Sequence, residues 1–156
     1  MATVARTSTR RHARLRITSA RPTEFIDLTE RIEALVAEAG LLTGLVNIQT
    51  LHTTTAIVVN EHEPLLLADF ETLLERAAPS GAAYRHDDLG RRALVAPGER
   101  RNGRAHCRAL LLNTSVCLNV VGGRPQLGRW QRVLFVELDG PQTREISVLL
   151  IADGEG

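Results

Sequence analysis

The sequence lacks the features that would place it in a specialised class of protein. Its formal net charge is +1 over 156 residues, so no excess of one sign draws the chain onto nucleic acid or a membrane surface. No run approaches the ~18 consecutive apolar residues that a membrane-spanning helix needs. A hydrophobic content of 44% is instead typical of a globular domain with a buried core. The sequence thus predicts a protein without nucleic-acid or membrane partners.

Cysteine is scarce, which excludes a disulfide scaffold. The chain has only Cys107 and Cys117, and their spacing matches no zinc-binding motif. Two isolated cysteines without an apolar secretion segment are typical of reduced thiols in the cytoplasm. We therefore predict a cytoplasmic protein in which both cysteines are small buried hydrophobes.

The first residues are basic and rich in serine and threonine. Six arginines precede the first acidic residue, Glu24, and five of them fall within residues 6–16. This pattern is compatible with a basic arm or with a segment like those that target organelles. From Ala13 the apolar residues alternate as in a strand, which favours a frayed terminus leading into a first strand. We predict a flexible basic arm over 1–12 and one domain over 13–156, since a chain of this length suits one domain.

Apolar periodicity predicts an α+β fold: a mainly antiparallel, β-sandwich-like core with two to three flanking helices. The predicted helices are 29–39, which Thr29 caps and Gly40 ends, then 64–77, and 103–113, which Asn102 caps. The predicted strands are 13–19, 24–28, 46–52, 56–59, 115–121, 130–139 and 144–152, with a further short strand possible at 93–95.

The stretch 44–69 carries a polar cluster between two apolar strands. His52 ends one face of the first strand, and Thr53, Thr54 and Thr55 follow it directly. Hydroxyls in such a setting need hydrogen-bond partners, which a ligand can supply. The alternative is a polar turn that links two core strands. Farther on, Asn60 and Glu61 are candidates for acid–base or orienting roles, or simply form the turn that leads into a helix.

Two further regions carry candidate chemistry. The segment 84–103 is charged and irregular, and long loops in small domains are often functional. Near the C-terminus, Glu137 shares a strand face with Val133 and Phe135, so its carboxylate needs a cation. Arg144, across a tight turn, is near enough in sequence to pair with Glu137. It is equally suited to binding a phosphate in a bidentate manner.

Three histidines come from separate predicted elements: His52 from a strand end, His86 from the irregular loop and His106 from a helix start. Neutral imidazoles of this kind can converge on a divalent metal, zinc or magnesium, and leave positions for water or substrate. No local histidine spacing of a known metal motif supports this. Each histidine has a structural alternative, in which its ring is hydrogen-bonded within the core.

At this point several blocks together resemble the YjbQ-like family of secondary thiamine-phosphate synthase enzymes. The blocks, in order, are HTTT-AIVVNE-x-EP-x4-D from His52, YRHDD from Tyr84, N-x2-AH from Asn102, LG-x-WQ from Leu127 and E-x-DGP-x2-R from Glu137. The resemblance extends from about Phe25 to Ile151. Among the departures, Arg104 stands where the family pattern has aspartate, and Gln142 stands where it has arginine.

The resemblance implies a small α+β protein, usually a homotrimer, with a weak or secondary thiamine-phosphate synthase activity and metal near the histidines. We therefore expect a metal-binding enzyme that joins a pyrimidine pyrophosphate to a thiazole phosphate. The alternatives are a non-catalytic trimeric binding module for a small anionic metabolite and a metal-dependent hydrolase. The expected roles are metal binding by His52, His86 and His106, catalysis by Glu61 and Glu137, and phosphate binding by Thr53, Thr54, Asn60 and Arg144.

Overall fold

The computed structural model describes residues 10–152, and two antiparallel sheets form its framework. The strands are β1 (Arg10–Thr18), β2 (Glu24–Asp27), β3 (Thr43–Thr50), β4 (Thr55–Asn60), β5 (Ser115–Val121), β6 (Arg124–Pro125), β7 (Arg132–Glu137) and β8 (Thr143–Ala152). The helices are α1 (Thr29–Glu38), α2 (Pro64–Ala77) and α3 (Gly103–Leu110). This architecture confirms the predicted α+β class with a sandwich-like core.

One sheet has five strands in the order β1-β8-β3-β5-β6, and the other has three in the order β2-β7-β4. The main core lies between the sheets, where Val46, Ile48 and Val148 of the larger sheet face Ile57 and Phe135 of the smaller one. Helix α1 closes this core through its apolar stripe.

A second apolar cluster covers the opposite face of the three-stranded sheet. Leu74 of α2 and Ala105 of α3 pack there against Leu134 and Val136 of β7. Strand β7 is therefore the central strand of a sheet that is covered on both faces, which is why five of its six residues are buried. The end of this strand places Glu137 inside the protein.

Element ends differ from the predictions in a few places. Strand β1 begins at Arg10, within the predicted arm, and residues 1–9 of that arm lie outside the described residues. Thr29 does not cap α1; the cap residue is Leu28, and the Thr29 hydroxyl instead accepts a hydrogen bond from the Val133 backbone N–H at 2.9 Å. The possible strand at 93–95 is absent, because no neighbouring strand pairs with it in the described structure.

Two further corrections concern burial. Cys107 and Cys117 are both exposed, contrary to their interpretation as buried hydrophobes. Cys117 alternates with the core-facing Val116 and Leu118 of β5, so its side chain lies on the outer face of the five-stranded sheet. Within residues 10–152, no helix is long and apolar enough to cross a membrane.

Candidate functional site

A cavity of about 560 Å³ lies where the β3–β4 turn, the 84–102 loop, the start of α3 and the β7–β8 turn meet. We call it the histidine cavity. Most of its lining is polar or charged: His52, Thr53, Thr54, His86, Arg92, Glu99, Arg100, Asn102, His106, Asp139, Gln142 and Arg144. The three histidines that the sequence analysis selected therefore line a single cavity.

His86 and His106 face each other in this cavity. His86 belongs to a short 3₁₀ turn (Arg85–Asp87) and His106 to the first half of α3, and their ring centroids are 4.7 Å apart with the planes inclined at 59°. Burial lowers the pKa of His106, and the charge of His86 lowers it further. His106 is therefore a neutral imidazole at neutral pH, able to accept a proton when an anion enters.

Gly103 holds these two histidines together. Its backbone N–H donates a 2.8 Å hydrogen bond to Asp87 Oδ1, which attaches the start of α3 to the 3₁₀ turn. A Cβ atom at position 103 would lie 2.6 Å from Tyr84 Cβ and 3.2 Å from His86 Cβ. Only glycine permits this close approach of helix and turn.

Three buried polar atoms of the cavity lining lack a hydrogen-bond partner among the described residues: His86 Nε2, Asn102 Oδ1 and Arg92 Nη1. Arg92 Nη1 lies 3.1 Å from Glu99 Oε1 in an ion pair, which leaves His86 Nε2 and Asn102 Oδ1 as the two orphan atoms. The amide orientation of Asn102 is set by its other end, because Nδ2 donates to Asp139 Oδ2 at 2.9 Å. Buried polar groups in folded proteins are almost always hydrogen-bonded, so this pair is suited to a ligand that offers polar atoms.

Asn102 occupies the N-cap position of α3, as predicted. Its side chain, however, makes no capping hydrogen bond and instead reaches Asp139, which follows β7. Asp139 also pairs with Arg100 at 3.2 Å. Two parts of the chain that are far apart in sequence, the 84–102 loop and the β7–β8 turn, thus form one polar wall of the histidine cavity.

His52 is held by the backbone of the neighbouring strand. Its Nε2 accepts a 3.1 Å hydrogen bond from the Glu145 N–H of β8, so in the neutral ring the proton resides on Nδ1. Burial lowers the pKa of His52, and the nearby charge of Arg144 adds to the effect. Beneath it, the hydroxyls of Thr50 and Thr55 are hydrogen-bonded to each other and close the turn.

Arg144 lines the cavity, and its predicted pairing with Glu137, which is buried behind it, is present. Arg144 Nε donates to Glu137 Oε2 at 2.8 Å and Nη2 donates to Oε1 at 2.9 Å. Nη2 also donates to the Thr54 hydroxyl at 3.2 Å. Glu137 is fully buried and further accepts hydrogen bonds from the Leu138 and Asp139 N–H groups. With its oxygens engaged, Glu137 can position Arg144 but has no free lone pair with which to take a proton from a ligand.

The remaining predicted site residues fall into two groups, one inside the cavity and one outside it. Thr53 and Thr54 line the cavity. Asn60 and Glu61 do not: they lie at the opposite end of β4, about 17 Å along the strand at ~3.3 Å per residue. The Asn60 side chain there accepts a hydrogen bond from the Glu61 N–H. The structure of one chain does not bring these two residues together with the histidines.

The sequence analysis did not single out Arg92, Glu99 or Arg100. Arg92 pairs with Glu99 at 3.1 Å, and all three residues line the cavity from the irregular loop. The one available signal was the density of charge in 84–103, which marked the loop as a whole and not these side chains.

The predicted metal site is only partly assembled. No group of three His, Cys, Asp or Glu side chains in the 10–152 portion is placed to hold a metal ion. His86 and His106 can offer two imidazole nitrogens, but His52 Nε2 is already engaged with Glu145. Metal binding through all three histidines thus stays a prediction, and the donor set of this structure does not complete it.

Comparisons with known proteins agree on one family. The family model described as "UPF0047 protein YjbQ-like" matches residues 13–153. A UPF0047 protein of Archaeoglobus fulgidus is 41% identical over 134 residues, which cover 86% of this chain and 96% of the relative. The UPF0047 protein YugU of Bacillus subtilis is 32% identical, covering 83% and 91%.

Solved structures agree in fold. A YbjQ-like protein of unknown function from Sulfolobus solfataricus superposes with a TM-score of 0.85 at 28% identity, covering 94% of this chain and 100% of the other. A hypothetical protein from Aeropyrum pernix gives a TM-score of 0.81 at 31% identity, covering 92% and 99%. The arrangement of two sheets and three helices is therefore shared with these proteins.

Proposed function

The chain belongs to the YjbQ-like UPF0047 family, and within this family we propose that it is an enzyme acting on a phosphorylated small molecule bound in the histidine cavity. One observation carries the proposal. The paired rings of His86 and His106 lie beside the unpartnered buried atoms His86 Nε2 and Asn102 Oδ1, in a cavity that Arg100 and Arg144 also line. Imidazoles and guanidinium groups are the side chains best suited to a phosphate that gains charge during a reaction.

The specific reaction we propose is that of a thiamine-phosphate synthase. The bond between the pyrimidine methylene carbon and the pyrophosphate oxygen breaks, and its electron pair leaves with the pyrophosphate. The lone pair of the thiazole nitrogen then forms the new carbon–nitrogen bond. Because no proton has to be removed from the nucleophile, the site needs mainly to orient two phosphorylated substrates and to stabilise the departing anion.

Each side chain has a role that follows from its contacts. Arg144 is fixed at Nε and Nη2, which leaves Nη1 to donate to a phosphate oxygen. His106, neutral before binding, gains a proton or a hydrogen bond as the pyrophosphate charge develops. Asn102 accepts a hydrogen bond from a substrate N–H or O–H, and Glu137 acts as a positioning residue for Arg144. Glu61, expected from the sequence to be catalytic, receives no role within one chain.

We test the proposal by incubating the purified protein with the pyrimidine pyrophosphate and the thiazole phosphate and measuring thiamine phosphate. We expect His86→Gln and His106→Gln to lower turnover by roughly 10²-fold or more, as for loss of a proton-transfer group. His62→Gln is the matched control, since His62 is exposed and does not line the cavity. Equal turnover in the wild type and His106→Gln would overturn the assignment of the site.

A second candidate is a binding module without chemistry. The observation that favours it is that every oxygen of Glu137 is already hydrogen-bonded, so this buried carboxylate cannot act as a base toward a ligand. This alternative predicts that the pyrimidine pyrophosphate raises the melting temperature of the wild type but not of His106→Gln, with no product formed. No stabilisation and no product would reject both candidates.

The homotrimer expected from the resemblance is also kept as a proposal. What supports self-association is the outer face of the five-stranded sheet, which no helix within residues 10–152 covers and where Leu45 is 41% and Val121 52% exposed. Sedimentation equilibrium of the purified protein measures the assembly mass directly. A mass equal to one chain at micromolar concentration would overturn it.

A further inference from the structure

A second cavity, of about 540 Å³, lies on the other side of α3. The C-terminal half of α2, the segment before β2 and the outer face of α3 enclose it. We call it the arginine cleft after its charged lining residues: Arg21, Arg76, Arg104, Arg108, Glu71 and Glu75. None of these side chains takes part in the histidine cavity.

Two of the arginines are neutralised by the two glutamates. Arg21 pairs with Glu71 at 3.1 Å. Arg108, only 3% exposed, donates to Glu75 Oε2 and to the Ala78 carbonyl oxygen, and so satisfies the end of α2. The Ser80 hydroxyl and N–H lower the pKa of Glu75 to about 2, so this carboxylate stays charged throughout the physiological range.

Arg76 and Arg104 are left without a carboxylate partner within residues 10–152. Four arginines therefore face two glutamates, and two positive charges remain uncompensated around one cavity. Arg104 is also oriented, because its Nη1 donates to the Ser80 hydroxyl at 2.8 Å. That contact leaves the Nε–Nη2 edge of the guanidinium free of partners in the described structure, and this edge matches two phosphate oxygens.

We propose that the arginine cleft binds a dianionic phosphate group, with Arg104 as a bidentate donor and Arg76 as the second cation. Ser80 orients Arg104, and the ion pair between the buried Arg108 and Glu75 gives the cleft a rigid floor. The two glutamates of the cleft are already paired with Arg21 and Arg108, so Arg76 and Arg104 supply the positive charge that a phosphate would meet.

The cleft is separate from the proposed active site. Arg104 and Arg108 are four residues apart and share one face of α3, whereas Asn102 and His106 share another. At 100° per residue, positions 104 and 106 lie about 200° apart around the helix. Binding in the cleft thus does not depend on the chemistry proposed for the histidine cavity.

The composition of the chain makes a direct test possible. All nineteen basic residues are arginine, so ¹⁵N-arginine labelling reports on every one of them through its Nε–Hε resonance. Inorganic phosphate and glycerol 3-phosphate are titrated separately into the full-length protein at constant ionic strength. Assignments come from Arg76→Ala, Arg104→Ala and Arg124→Ala; Arg124 is an exposed residue of β6 outside both cavities and serves as the control.

We expect the Arg104 and Arg76 resonances to shift and saturate with at least one of the two probes, while the Arg124 resonance follows only ionic strength. Loss of one charge-assisted contact in Arg104→Ala should raise the dissociation constant, read from Arg76, roughly tenfold. Saturation by inorganic phosphate alone identifies the free anion as the ligand, and tighter saturation by the monoester identifies a phosphorylated metabolite.

The proposal is overturned if neither probe saturates the Arg104 and Arg76 resonances. If Arg104→Ala does not fold, Arg104→Lys keeps the charge but lacks the planar edge, and it must bind more weakly than the wild type. A result in which His106→Gln abolishes turnover while these resonances stay unmoved would reject the cleft and leave the active-site proposal standing.

Discussion

Glu137 and Arg144 are joined by two parallel hydrogen bonds of 2.8 and 2.9 Å; Arg144 lines the histidine cavity, and the carboxylate behind it is wholly buried. The pair links the end of β7 to the start of β8 across the Gly140–Pro141 turn. It supports the fold and also presents Arg144 to the cavity. Loss of the carboxylate would leave the guanidinium, itself mostly buried, without a counter-charge.

Glu137→Gln should therefore destabilise the protein strongly. Breaking a buried ion pair from one side costs about 3–5 kcal/mol of unfolding free energy, because the remaining charge is left unpaired. Urea denaturation measures the change. Glu145→Gln is the matched control: it removes the exposed Glu145–Arg14 pair at 3.2 Å and should cost less than about 1 kcal/mol. Equal losses in the two variants would contradict a buried, structural ion pair.

Gly103→Ala should separate α3 from the 3₁₀ turn that carries His86. The added Cβ meets Tyr84 Cβ at 2.6 Å, and overpacking of this kind costs about 1–3 kcal/mol. We expect both reduced stability in urea and altered histidine ring resonances of His86 and His106. Gly81→Ala is the control, because a Cβ there has no neighbour within 4 Å. Unchanged resonances in Gly103→Ala would show that the close approach of Gly103 to the 3₁₀ turn is not needed to hold the two histidines together.

Stability should decrease as the pH falls below about 6.5. Burial lowers the pKa values of His52 and His106 in the folded protein below that of a free histidine, about 6.5, so between the folded and unfolded pKa values the unfolded chain binds more protons. Acidification through that window then favours unfolding, and the stability that the neutral rings contribute is fully present only above it. Urea midpoints measured from pH 7.5 to 5 test this.

The variants His52→Gln and His106→Gln should each flatten this pH dependence, since glutamine does not titrate. His62→Gln, which alters an exposed ring, should keep the wild-type slope. A slope that is the same in all four proteins would mean that the buried histidines do not govern it.

Metal binding should be weak in the isolated chain. Two facing imidazoles without a third protein donor give an incomplete site, so protein dialysed against metal-free buffer should retain well below one equivalent of zinc or magnesium. Added zinc should perturb the resonances of His86 and His106 before those of His52. One tightly held equivalent that is lost in His52→Ala, His86→Ala and His106→Ala would establish the three-histidine site instead.

Much of the fold was predictable because apolar periodicity reports burial. The helix at 64–77 and the strand at 115–121 have the predicted bounds, and Glu137 was identified as a carboxylate in need of Arg144 from its place on an apolar face. Distance along a strand explains why two of the predicted site residues do not reach the cavity. Asn60 and Glu61 follow His52 closely in sequence, but an extended strand carries them away from it.

Other features depend on packing that periodicity does not encode. Alternation showed that Cys117 lies on one face of β5, but not which face of the sheet the rest of the protein covers. The two orphan atoms of the histidine cavity arise from contacts between the 84–102 loop and the β7–β8 turn, which are far apart in sequence. Only the folded chain reveals them.

Helix α3 lies between two cavities, and we propose a different ligand for each. Two turns of helix set the geometry of His106 and of Arg104 at once, yet the residues that serve each surface do not overlap. If both proposals hold, a substitution at Arg104, which makes no contact with the histidine cavity, would change binding in the arginine cleft and leave the histidine cavity unaltered. For protein engineering, this short helix is therefore a place where the proposed ligand specificity of the arginine cleft could be altered separately from that of the histidine cavity.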